Sequence, residues 1–166
     1  MKAKGSLTNC FFTALKIWAA AWLSYLFSII PIYIWRGTHD VSPEAAMRVE
    51  NVIFAVCGLV FGFFILTLLF AKTDFAERLG FRDSIFHACG SAGLYTVIWL
   101  IYALINQNHI LLSVTGYYMS CVFGQKANDH PTLLASFLAS IVFGVVYGCA
   151  LLFGAFLARN RRKKQI

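Results

Sequence analysis

The chain has 166 residues, 60% of them hydrophobic and 13% charged, with a mean hydropathy of +0.72. A soluble domain carries about a quarter charged residues, so the composition excludes one and predicts a single integral membrane domain. The net charge of +7 does not point to nucleic acid, because the basic residues collect at helix ends, where orientation and anionic lipid place them.

Four spans are predicted, at about 10–36, 43–71, 84–106 and 131–158, followed by a basic tail at 159–166. The fold class is therefore all-α, an integral membrane four-helix bundle. The first apolar run follows Lys2, Lys4 and Lys16. It is too long and aromatic for a secretory leader, and no suitable cleavage site follows, so a retained span is expected. Thr8 or Asn9 offers its cap, Pro31 predicts a kink near its outer end, and Tyr33 and Trp35 suit the interfacial belt.

Ser42-Pro43-Glu44 is a strong start for the second helix: a capping hydroxyl, a proline at the first helical position and an acid in the first turn. Glu44 and Arg48 stand four apart in the favourable order. Gly58 and Gly62 form a GxxxG step, a motif that apolar helices often contain by chance.

KTDFAERLGFRD, residues 72–83, holds three basic and three acidic residues. Asp74 with Glu77 resembles a capping box, and Gly80 a stop. One short amphipathic turn is predicted, with Phe75, Leu79 and Phe81 dipping into the interface. Lys72, Glu77, Arg78 and Arg82 then form either a solvated connector or a docking surface for a cytosolic partner.

The third span, capped by Asp83, is the most polar. Ser84, His87, Ser91, Tyr95 and Tyr102 fall close to one helical face. An ionisable residue inside a span is a functional candidate. However, His87 lies only about 6 Å from the start of its helix, which also fits a neutral, hydrogen-bonded residue at the headgroup boundary. The sharper alternative is a polar seam of His87, Ser91 and Tyr95 lining a pore or a subunit junction.

The segment 110–124, ILLSVTGYYMSCVFG, is apolar but short for a crossing. Four spans put eleven of the 14 basic residues on the side of the two termini, with Arg36, Arg48 and Lys126 opposite. That asymmetry predicts both termini in the cytosol. The 110–124 segment is then an outer re-entrant or interfacial element between the third and fourth spans. It would pack on protein, since irregular backbone exposed to lipid is costly.

The last span, 133–158, carries no charge and would run roughly 39 Å as a helix. Ser136, Ser140, Gly144 and Gly148 form a stripe of small residues, and Ala150, Gly154 and Ala158 a second one. Such stripes let membrane helices approach closely. With Gly58 and Gly62 they are candidates for oligomer packing, although packing within one subunit accounts for them equally well.

The tail basics Arg159, Arg161, Arg162, Lys163 and Lys164 anchor topology, attract anionic lipid at about 1 kcal/mol each, or dock an acidic cytosolic protein. The terminal Lys163-Lys164-Gln165-Ile166 also matches a dilysine retrieval pattern.

Catalysis needs convergent polar groups, and few are available. All seven acids lie in predicted loops or at helix ends, which disfavours proton-coupled exporters. The five cysteines contain no CxxC pair; those in spans read as small hydrophobes. Only Cys121 is placed externally, which counts against quinone-coupled thiol oxidases. His39, His109, His130, Cys121 and Asp129 share the outer side but match no metal-ligand spacing. No nucleotide loop, HExxH or nucleophile elbow occurs. No enzyme, cofactor or metal is expected, and a small channel along the third span is the alternative function.

In its length, four-span topology, Phe-rich spans, KTDFAERLGFRD and RNRRKKQI, the chain resembles KwaA, the membrane subunit of the bacterial Kiwa anti-phage defence system. The resemblance implies a homo-oligomeric inner-membrane sensor and scaffold, expected to be tetrameric. It also implies recruitment of a cytosolic effector, KwaB. The charged inner surfaces would be the docking sites, and the outer segment would report membrane disturbance. No catalytic residue is implied, and no direct contact with nucleic acid.

Overall fold

The computed structural model describes residues 7–40, 42–105, 118, 122 and 133–163, with 44, 102–104 and 133 described by backbone only. The main elements are α1 (Leu7–Thr38), α2 (Pro43–Ala71), a short α3 (Asp74–Arg78), α4 (Phe81–Ile105) and α5 (Leu133–Lys163). No strand occurs among the described residues. α1, α2, α4 and α5 are long and apolar enough to cross a membrane, which fits a multi-pass membrane protein.

Local chemistry sets the helix ends, not always as the sequence predicts. Ser42 caps α2, its Oγ accepting from the Ala45 N–H at 3.4 Å, with Pro43 opening the helix. α1 already includes Thr8 and Asn9, so neither is a cap at its described start. α3 is capped by Thr73 rather than Asp74: the Thr73 Oγ1 accepts from the Ala76 N–H at 3.3 Å. α4 begins at Phe81, two residues before the predicted cap Asp83. The Gly80 carbonyl accepts from the Ser84 N–H and hydroxyl, and Asp83 instead puts its carboxylate in the first turn, where the helix dipole favours it. α5 stays helical through Lys163. Arg and Lys are good helix formers, and cations suit a helix C-terminus.

The four long helices form a ring in the order α1, α2, α5, α4. α1 and α2 run antiparallel, with Arg36 at the end of one paired to Glu50 near the start of the other. α4 and α5 are also antiparallel: Tyr95 meets Tyr147 while Trp99 meets Phe143. The two remaining seams are parallel. Gly62 faces Tyr147 and Gly154 faces Phe70 across α2 and α5, while His87 and Gly90 of α4 face Cys10 near the start of α1. α2 and α4 are therefore diagonal, and α3 crosses the end of the bundle between them, packing mainly on α5.

Many small and polar side chains are buried in the bundle, around the buried rings of Phe70, Trp99, Phe143 and Tyr147, and other large apolar side chains coat the outside. Ala20, Ala21, Ala139, Ala150 and Ala155 are buried together with Ser24, Ser28, Thr67, Ser136 and Ser140. Phe27, Phe64, Phe86, Ile101, Phe137 and Phe156 are exposed. This distribution suits lipid as solvent. Lipid does not drive apolar side chains inward, so close packing and internal hydrogen bonding decide what faces the seams. Several of the buried hydroxyls are satisfied locally or across a seam. Ser24 donates to the Ala21 carbonyl at 2.7 Å, Ser28 to that of Ser24 at 2.8 Å, and Thr67 reaches across to Ala150 at 3.2 Å.

Candidate functional site

Among the described residues, the end of the bundle where α1 begins and α5 finishes carries the densest set of charged side chains. α3 lies across it. Ala76 and Leu79 are buried in the core, and Phe75 sets its ring edge-on against His87 at 4.8 Å. Leu79, expected to dip into the membrane interface, thus packs on protein instead, whereas Phe81 is 72% exposed. Phe81 is the first residue of α4, and the Arg159 guanidinium lies 5.8 Å from its ring centre. Glu77 of α3 pairs with Arg161 of α5. An exposed pair of this kind is worth at most about 1 kcal/mol, so it orients the α5 extension more than it holds the fold. Arg82 lies 5.5 Å over its own helix's Phe86. Lys72, Arg78, Arg82, Arg161, Arg162 and Lys163 are exposed, and Lys164 lies outside the described residues. The structure thus brings the KTDFAERLGFRD loop and the basic extension of α5 onto one end, with Glu77 and Arg161 joining them.

Just inside this end stands His87, 1% exposed. Its Nε2 is 2.9 Å from the Thr13 Oγ1 and its Nδ1 is 3.6 Å from the Cys10 Sγ, both on α1. The ring stacks on Phe70 at 5.7 Å. Ser84, Ser91 and Tyr95 share its face and are also buried; the side chain of Tyr102 lies outside the described residues. Within one chain this face is packed, Tyr95 lying edge-on to Phe143 and Tyr147. The Ser91 hydroxyl is buried without a hydrogen-bond partner among the described residues. Sequence reading singles out His87 but misses Cys10 and Thr13. They stand more than 70 positions away, and no local pattern marks them.

Beside this cluster, deeper along the same α1/α4 seam, is an apolar cavity of about 260 Å³. Ala14 and Trp18 line it from α1, and Tyr95, Ile98 and Trp99 from α4. Trp18 and Ile98 are themselves exposed, so the cavity opens sideways between the helices.

The small residues serve the seams within the chain. A Cβ on Gly62 would meet Tyr147 of α5 at 3.0 Å, and one on Gly144 would meet Thr96 of α4 at 2.9 Å. Gly148 faces the Ala92 methyl at 3.8 Å. Gly58, Ser136 and Ser140 are buried as well. The second stripe turns the other way, Gly154 closing on the Thr67 carbonyl and the Phe70 side chain of α2.

At the opposite end, Arg36 grips Glu50, one of its two contacts being 2.7 Å, and His39 stacks on Trp35 at 5.3 Å. The sequence offers Glu44 and Arg48 as a pair, but the Glu44 side chain lies outside the described residues. Of the 110–124 segment, Tyr118 and Val122 are described; both are helical and half-buried. Tyr118 stacks on Phe54 at 4.4 Å and on Tyr25 at 6.1 Å. His109, Cys121, Asp129 and His130 lie outside the described residues. Among the described residues no group of three or more His, Cys, Asp or Glu side chains could hold a metal ion. No family model, no curated protein and no solved structure matches the chain.

Proposed function

We propose that the chain is a non-enzymatic, homo-oligomeric subunit of the bacterial inner membrane that senses a disturbance at the envelope and recruits a cytosolic effector. Both termini face the cytosol in this reading, as the excess of basic residues on their side requires. The observation that carries it is the joint surface of α3 and α5. Glu77 pairs with Arg161 and Arg159 approaches the Phe81 ring, while Arg78, Arg162 and Lys163 stand exposed around them. Topology alone needs cations near the membrane; it does not need the loop and the α5 extension tied together. A partner with an acidic face would be steered to this end and held in one orientation.

Tyr118 supports an outer segment that enters the bilayer. Its partner Tyr25 lies roughly 20 Å along α1 from Thr38, at the helical rise of 1.5 Å per residue. A residue stacked there reaches well below the outer end of the bundle, where thinning or distortion of the membrane would be felt. The KwaA resemblance supports the same scheme, with KwaB as the effector and a tetramer as the assembly. The alternative, a channel along α4, would need that face to line an open path, whereas His87 and Tyr95 are packed against aromatic rings.

The test is purification in mild detergent with an N-terminal tag, with the native mass measured and bound proteins identified. A stoichiometric soluble partner is expected on a homo-oligomer. Replacing Arg161, Arg162 and Lys163 with Glu should reduce its recovery at least tenfold while membrane insertion persists. A homo-oligomer recovered alone at low salt would overturn the scaffold reading and favour flux measurements on Ser91 and His87 variants in liposomes.

A further inference from the structure

The Cys10–His87–Thr13 cluster has the parts of an activated thiol. A nucleophile lies within reach of an imidazole nitrogen, and the opposite nitrogen is held by a third group. With the His87 proton on Nε2 and donated to Thr13, Nδ1 is left to accept the Cys10 proton. Cys10 is half-buried at the basic end of the bundle, the partly exposed, electropositive setting in which thiols react. Gly90 leaves the sulfur room: a Cβ there would stand 3.3 Å from Sγ. Cys57, Cys89 and Cys149 make no hydrogen bond to a base among the described residues, although Cys89 and Cys149 are more exposed than Cys10.

The same seam contains the cavity. Ala14 stands one turn from Cys10 and Trp18 two turns, about 6 and 12 Å along α1. Its lining is almost wholly apolar, and it opens sideways at membrane depth. A chain attached to the Cys10 sulfur and directed along the seam would enter it.

The geometry points to Cys10 as a site of S-acylation, with the acyl chain lodged in the α1/α4 cavity and a long-chain acyl-CoA thioester as donor. The Cys10 S–H proton passes to the His87 Nδ1. The thiolate attacks the acyl carbonyl carbon, forming a new S–C bond. The S–C bond to coenzyme A breaks, and its thiolate departs with the proton returned from His87. No oxidant or metal is required. The donor is anionic, so the basic end attracts it. Thr13 is a positioning residue, since it acts through His87. The site goes beyond the scaffold role and does not depend on a partner.

The experiment uses the purified full chain in detergent with an alkyne-tagged palmitoyl-CoA, mapping label at each cysteine by mass spectrometry. Label is expected on Cys10, released by hydroxylamine and absent in Cys10→Ser. His87→Asn should slow labelling about 100-fold, the lower range for a general base. Thr13→Val should slow it and flatten its pH profile, with Thr13→Ser restoring both. Ala14→Phe, which fills the cavity, should slow palmitoyl transfer more than acetyl transfer from acetyl-CoA. Absence of label overturns the proposal, as does equal labelling of Cys89 and Cys149 or an unchanged rate in a folded His87→Asn. Should His87→Asn not fold, the Thr13 pair decides: identical rates and pH profiles in Val and Ser variants overturn the role of the cluster. Because no partner is present, failure here leaves the scaffold reading standing.

Discussion

Alanine in place of Gly154 is expected to destabilise the bundle by about 3 kcal/mol, at the upper end for an overpacked core. A Cβ at this position would lie 2.9 Å from the Thr67 carbonyl oxygen and 3.3 Å from Phe70. The nearest obstacle is backbone, so no side-chain rotation relieves it. α2 and α5 must separate along their parallel seam. The Thr67 hydroxyl then loses the Ala150 carbonyl, one turn away on α5. Two other glycines calibrate the result. Gly144→Ala meets only the Thr96 hydroxyl, which can rotate, and should cost about 1 kcal/mol. Gly148→Ala makes ordinary contact with Ala92 and should be close to neutral. Thermal unfolding of the three variants in mild detergent checks the order; equal losses would mean that α5 does not seat against α2 as described.

Trp99→Ala is expected to cost a similar amount, about 3 kcal/mol, the low end of the range for such truncations in soluble cores. Trp99 is fully buried and meets the Phe143 ring edge-on at 5.1 Å. In water, removing it would forfeit both transfer free energy and packing. In lipid the separated helices are already in an apolar solvent, so the packing and cavity contribution dominates. The same reasoning makes Phe64→Ala and Phe137→Ala nearly silent, because both rings are exposed and neighbouring lipid replaces their contacts. Unfolding of a reconstituted sample separates the two classes. A large loss at Phe137 with none at Trp99 would place the wrong face of the bundle inward.

The long helices were legible because a bilayer writes its thickness into the chain as runs of apolar residues. The predicted second span, 43–71, matches α2 because Ser42 and Pro43 leave little freedom at its start. α1 and α4 start earlier than predicted: Thr8 and Asn9 are helical, and the Gly80 carbonyl rather than Asp83 receives the first turn of α4. The amphipathic turn at 74–78 was visible in its alternation of charge and ring, but its cap was not, since Asp74 is the better capping residue by type and Thr73 takes the position. Ring order was beyond reach. Nothing in a single helix says that α2 and α4 are diagonal, and the meeting of Cys10 with His87 depends on that order. The small-residue stripes announced close approach without saying which helix approaches.

The ring order divides the molecule into two antiparallel hairpins, α1 with α2 and α4 with α5. Each can form as soon as its own pair of helices is in the membrane. The parallel seams arise only when the hairpins dock. The long-range polar contacts of His87 with Thr13 and Thr67 with Ala150 join one hairpin to the other. Assembly is therefore expected to have an early stage governed by insertion and a late one governed by recognition. A chain cut between the hairpins, within the α2–α3 link, should still reassemble from two separately made halves.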